Sequence, residues 1–108
     1  MTSTSTLAGP SIAQCAAAVM RLTGITVAQM RSDSRIPAIS EARALAVHLA
    51  RTDALENGRR PSFRVLAGYF FRDPSTVAYL AGKKQKRTRL AAVRCALVTV
   101  LQFKQRFY

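Results

Sequence analysis

The stretch Val65-Leu-Ala-Gly-Tyr-Phe-Phe-Arg-Asp-Pro-Ser-Thr-Val77 decides how this 108-residue chain is read. It opens with helix-forming apolar residues, turns over at Phe70-Phe71-Arg72, and restarts at Asp73-Pro74-Ser75-Thr76 with the marks of a new helix. Asp73 suits the N-cap, where a carboxylate can accept a backbone N–H that the first turn leaves unpaired. Pro74 suits the first helical position, where a missing N–H costs nothing. A short helix, a tight turn and a well-started second helix are the parts of a helix-turn-helix. The expectation is a helix presented to the DNA major groove, with the rest of the chain supporting it.

Upstream, Asn57-Gly58-Arg59-Arg60-Pro61 reads as a loop, followed by the motif's first helix over Ser62–Tyr69. Ser40 is expected to cap a long helix from Glu41 to about Leu55, with Ala42, Leu45, Ala46 and Leu49 on its buried face. His48 lies beside that face with no partner cluster, as a packing or surface residue. Ser32 to Pro37 reads as a loop, with Ile36 biased away from helix by the proline after it. Thr26 starts a short helix reaching Arg31. Ser11 starts the first helix, whose buried stripe is Ile12, Cys15, Ala16, Val19 and Met20, and Gly24 ends it. Residues 1–10 read as a flexible lead-in.

Downstream, a helix over about Pro74 to Ala81 is stopped by Gly82, and Lys83 to Arg89 form a basic run. Leu90, Val93, Leu97, Val100 and Leu101 then repeat at helical spacing in a C-terminal helix, 88–103. The expected fold is all-α: one compact helical domain, residues 11–108, of about six helices containing a helix-turn-helix.

Composition narrows the function. Hydrophobic residues make up 49%, too many for a disordered basic tail. Lys and Arg number 17 against 5 acids, a formal net charge of +12. Self-repulsion on that scale is relieved by a polyanion, and nucleic acid is the commonest such partner. All five acids lie at or before Asp73, while Pro74 to Tyr108 holds eight Lys or Arg. A helix seated in a groove has its far end near the sugar-phosphate backbone, so Lys83, Lys84, Lys86 and Arg87 are expected at phosphates.

Other classes fare poorly. One histidine, two unpartnered cysteines and scattered acids offer no acid–base site, so no enzyme, cofactor or metal is expected. Cys15 and Cys95 match no metal spacing and, each falling in an apolar helical pattern, are expected to be buried free thiols. No run reaches the roughly 18 apolar residues of a membrane span, and the N-terminus lacks a signal-peptide pattern. A cytoplasmic, nucleoid-associated protein without membrane contact is expected.

Three pieces, in order, resemble the C-terminal DNA-binding domain of the bacterial replication initiator DnaA. Thr26-Val-Ala-Gln-Met-Arg-Ser-Asp-Ser-Arg35 resembles the family's short helix leading to a basic loop. Ala42-Arg-Ala-Leu-Ala-Val-His-Leu-Ala-Arg51 resembles its long helix, typically Arg-x-x-Ala-x-x-Leu. Arg72-Asp73-Pro74-Ser75-Thr76-Val77 resembles the signature Arg-Asp-His-Ser/Thr-Thr-Val that opens its recognition helix. The resemblance implies that Arg35 enters the minor groove and that Asp73 and Ser75 read base edges in the major groove. It also implies that Thr76 and Lys83 lie at recognition-helix or phosphate-side positions, and Arg72 and Pro74 of the signature are expected at the DNA with them. Pro61 falls near a family proline that touches DNA.

Two departures matter. The family histidine that packs on a thymine methyl is Pro74 here, so the target site need not be the initiator's own. The usual Gly-Gly before Arg-Asp is Phe70-Phe71, which alters the turn and adds two large apolar side chains. Asp73 has two competing uses, a base contact and its own helix's cap, and both stay open.

No Gly-rich loop ending Gly-Lys-Ser/Thr is present, so no nucleotide is expected to bind. The expected function is a stand-alone, sequence-specific double-stranded DNA-binding transcription regulator. By analogy it would be an activator of prophage-like or gene-transfer-agent genes, with RNA polymerase or another DNA-bound regulator as partner. The alternative is a protein-interaction module or nucleoid/replication-control factor. In that reading the C-terminal helix, extended by Phe103, Phe107 and Tyr108, would bind a partner and DNA binding would be weakly specific.

Overall fold

Hydroxyl side chains and prolines mark where the helices begin. Ser11 caps α1 (Ile12–Thr23) by accepting from the Gln14 N–H, and the Gln14 side chain accepts in return from the Ser11 N–H. Thr26 and Gln29 repeat this capping box at α2 (Val27–Met30). The next two starts differ: α3 (Pro37–Asp53) begins at a proline, and α4 (Phe63–Phe70) begins after Ser62, which accepts from the Val65 N–H. A second proline start opens α5 (Pro74–Gly82), and α6 spans Arg87–Phe107. These limits come from a computed structural model that describes residues 9–107, with side chains described as far as Gln102.

Among the described residues the fold is all-α with six helices. Among the described residues the one β-type pairing is the Glu56–Arg59 bridge, closed by Asn57 and Gly58 at φ 54° and 79°. Two successive left-handed residues of this kind make the tight turn that Asn-Gly favours.

Several expected boundaries move. Ser40 does not start α3. Pro37 does, because a fixed φ and an absent N–H suit the first position, and Ile36 before it stays extended at ψ 130°. Gly82 is the last residue of α5 rather than its stop, and α6 is longer at both ends than 88–103. Of the lead-in, residues 1–8 lie outside the described residues. The Pro10 carbonyl accepts from the Leu55 N–H at 2.8 Å, which ties the start of α1 to the end of α3.

The core is built around α3, which touches α1, α2, α4 and α5. Its residues from Ala42 to Val47 are buried without a break, so the expectation of one buried face was too narrow. Alanines at 42, 44, 46 and 50 leave room for neighbours on several sides, so the middle of the helix, from Ala42 to Ala50, is interior apart from half-buried His48. On α1, Ile12, Cys15, Ala16 and Val19 are buried as expected, but Met20 is exposed and Ala18 takes its place inside.

α6 lies along α1 and turns Val93 and Leu97 into the core, with Leu90, Val100 and Leu101 packed at its edge. Asp53 accepts from the Arg94 guanidinium at 3.0 and 3.2 Å, pinning α6 to the end of α3. Burial would raise the Asp53 carboxyl, but the Arg94 and Thr52 hydrogen bonds together with the charges of Arg94 and Arg60 hold the group below its usual value. The helix therefore closes the domain's own core. The side chains of Phe103, Phe107 and Tyr108 lie outside those described. His48 packs: its Nδ1 sits 2.9 Å from the Ala81 carbonyl, which joins α3 to the end of α5.

No helix among the described residues is long and apolar enough to cross a membrane, and no cluster of potential metal ligands occurs among them. The two thiols part company. Cys15 is buried, whereas Cys95 is exposed on α6, contrary to the apolar pattern around it. Burial pushes the Cys15 thiol up to about 12, with nearby Asp53 adding to the effect and Arg60 opposing it. The thiolate is the reactive form, so native protein at pH 8 should consume one equivalent of an aromatic disulfide reagent, at Cys95. A second equivalent should appear only after unfolding in guanidinium. Two equivalents reacting at one rate in the native state would mean that Cys15 is not enclosed between α1 and α3.

Candidate nucleic-acid interface

Three residues join α4 to α5, and they make a sharp turn. Phe70 is fully buried and anchors the end of α4 in the core. Phe71 then adopts the left-handed conformation at φ 55° and ψ 48°. The N–H groups of Phe71 and Arg72 both reach the Ala67 carbonyl, closing the helix end. Of the two phenylalanines, one points in and the other is 64% exposed. A non-glycine residue in this conformation costs roughly 1–2 kcal/mol, so its surroundings must hold it there.

Arg31 supplies that hold. Its guanidinium lies 4.5 Å from the Tyr69 ring centroid and 4.7 Å from that of Phe71, and its Nε donates to the Tyr69 carbonyl at 2.8 Å. Stacking of a cation on two rings stabilises both the turn and the start of the 31–36 loop.

The same loop is gripped from below. Arg43 is only 6% exposed on α3, and it donates from Nε to the Met30 carbonyl at 2.7 Å. Its Nη2 donates to the Ser32 and Ser34 carbonyls at 2.9 and 3.0 Å. Arg72, in the turn, donates to the Ser32 carbonyl as well, and to that of Phe71 at 3.0 Å. Burial lowers the Arg43 pKa, Arg72 lowers it further, and Asp33 opposes them. An arginine stays charged under such a shift, and three carbonyls compensate for its lost hydration.

This network brings the loop carrying Arg35 beside the start of α5. Arg35, Asp73, Pro74, Ser75 and Thr76 are all exposed there. Asp73 occupies the N-cap position in an extended conformation, yet its carboxylate makes no cap hydrogen bond. Pro74, fixed at the first helical position, already starts the helix, so the carboxylate is not spent on its own helix. Lys83, Lys84, Lys86 and Arg87 are exposed at the other end of α5, ~13 Å away for nine residues at helical rise. Both ends of α5 are thus open to solvent, the first turn through Asp73 to Thr76 and the far end through its basic residues.

Two expected site residues are not exposed in this way. Pro61 is fully buried, and its carbonyl accepts from Arg51, so its ring supports the start of α4 and cannot touch a ligand. Arg72 is half-buried and committed to backbone carbonyls, which makes it a positioning residue for the loop.

Other functional residues carry little signal in the sequence. Arg31 and Arg43 look like two more cations, although Arg43, set among the alanines of α3, stands inside the apolar stretch. Tyr79 is 71% exposed one turn beyond Ser75, and Arg64 lines a groove shared by α4 and α5. Neither a scan against protein-family models nor a search of curated proteins finds a match to this chain.

Arg43→Leu would strand the Met30 and Ser34 carbonyls, while Ser32 keeps Arg72, and should lower unfolding free energy by about 3 kcal/mol in urea titration. Arg43→Lys should recover only part of that, because a single ammonium cannot span the same three acceptors. A wild-type midpoint for Arg43→Leu would refute the role assigned to this clamp.

Proposed function

We propose that the chain is a sequence-specific double-stranded DNA-binding transcription regulator. The observation that carries this reading is the tie between the loop bearing Arg35 and the turn that starts α5. A reader of two adjacent grooves needs those two elements at a fixed spacing. The net charge of +12 supplies the sequence-independent attraction to a polyanion.

In this reading α5 lies in the major groove, with Asp73 and Ser75 at base edges and Thr76 beside them. The Asp73 carboxylate, uncommitted to a cap, can accept from a cytosine amino group. Arg35 enters the adjacent minor groove, most favourably where A·T pairs narrow it. Lys83, Lys84, Lys86 and Arg87 take phosphates where the helix leaves the groove. The resemblance to the DnaA DNA-binding domain supports the same assignment, and Pro74 in place of the histidine points to a different target site.

The finer role is an activator at prophage-like or gene-transfer-agent genes, acting in the cytoplasm on the nucleoid, with RNA polymerase or another DNA-bound regulator as partner. Nucleotide and membrane have no part in it. The alternative interaction-module reading loses weight because α6 spends Val93 and Leu97 on the domain's own core.

Selection from a random duplex pool, followed by gel-shift titration across salt, tests the proposal. Arg35→Ala and Ser75→Ala should each cost ~1–3 kcal/mol on the selected site and much less on unrelated duplex. Lys84→Ala and Arg87→Ala should weaken all duplexes alike and lower the slope of log K against log salt by about 0.9 each. Equal affinity for every duplex at every ionic strength would exclude sequence-specific regulation.

A further inference from the structure

A helix seated in the major groove runs between two sugar-phosphate strands, and the lysine-rich end of α5 accounts for only one of them. The flank of α5 that faces α4 forms an open groove, with Arg64 on the α4 side and Asp73 and Thr76 on the α5 side. Arg64 is exposed, and neither of the two ion pairs among the described residues uses it. Ala67 and Gly68 floor the groove between the helices. A Cβ placed on Gly68 meets nothing within 4 Å, and Gly68 is not left-handed, so no internal contact or turn demands a glycine there. Glycine inside a helix is destabilising relative to alanine. Its small size is useful to something that approaches α4 from outside.

We infer that the groove between α4 and α5 seats the second DNA strand, with Arg64 donating to one of its phosphates and Gly68 letting the backbone lie close. The inference rests on the DNA-binding reading above and adds to it a second flank that the clustered lysines do not provide. The first helix of a helix-turn-helix crosses the DNA backbone, and Arg64 stands on the outer side of that helix, one turn from Gly68. The Asp73 carboxylate repels a phosphate at the α5 edge, which confines the phosphate to the Arg64 end and leaves Asp73 to a base. Anchors beside the start of α5 and beyond its end hold it in the groove at a set depth and roll angle. Basic residues at one end alone leave that roll free.

The test is the salt dependence of duplex binding by the full chain, measured for Arg64→Ala, Arg64→Lys and Gly68→Leu beside wild type and Lys84→Ala. Arg64→Ala should lower the slope of log K against log salt by about 0.9 on all duplexes, and Arg64→Lys should restore it. Gly68→Leu fills the groove without touching the core. It should melt at or above the wild-type temperature while binding every duplex at least tenfold more weakly. If Lys84→Ala lowers the slope but Arg64→Ala leaves slope and affinity unchanged, the second flank is wrong and the regulator reading stands. Wild-type affinity in Gly68→Leu would likewise exclude a strand in the groove. If wild type binds no duplex at any salt, both readings fall.

Discussion

The carbonyl oxygen of Ser32 accepts from two arginines, Arg43 on α3 and Arg72 in the turn before α5. The loop from Arg31 to Ile36 has no ladder of its own, so its backbone acceptors need partners from elsewhere. Guanidinium groups suit this because one planar fork can serve several carbonyls and keeps its charge when desolvated. Arg43 serves three of them, and Arg31 clasps the turn from the other side by stacking on Tyr69 and Phe71. Loop and turn therefore move as one piece. The spacing between Arg35 and the first residues of α5 is a property of the core, not of a flexible link.

That arrangement places positive charge in the interior of a protein already carrying an excess of it. Burial and the neighbouring Arg72 both act against the charged form of Arg43, and the hydrogen bonds and Asp33 of the same loop offset them. The outward-facing cations near α5 have no such compensation and gain from a polyanion. The same residue type thus has two uses. Arg31, Arg43 and Arg72 shape the surface from within, while Arg35, Arg64 and the Lys83–Arg87 group present charge to whatever binds it. The turn shows a similar division: Phe70 fixes α4 in the core and Phe71 spends conformational strain to provide a shelf for Arg31.

Much of this was legible from residue types alone. Ser11, Thr26 and Ser62 mark helix starts because their hydroxyls satisfy N–H groups within three residues, a local event that needs no tertiary partner. Pro74 and Gly24 announce a beginning and an end for equally local reasons. The exposure of Arg35 and of Asp73 to Thr76 was readable because these residues fall just outside the apolar periodicity. Ser40 misled because it satisfies the capping rule only if the helix starts there, and Pro37 starts it a turn earlier. Cys95 and Met20 misled because an apolar neighbour in sequence says nothing about which way a helix finally turns.

The sequence by itself determined the helical class, the helix-turn-helix and the large positive net charge, since capping, proline geometry and net charge are local or additive properties. The tertiary structure decided that Pro61 is internal, that Arg72 serves the loop, and that α3 is buried on nearly every side. It also decided that Arg43 and Arg31 set the position of Arg35, and that Arg64 shares a groove with the start of α5. Each of these depends on contacts between residues nine to forty positions apart. The side chain of an arginine carries no mark of whether its partner will be a carbonyl across the fold or a phosphate outside it.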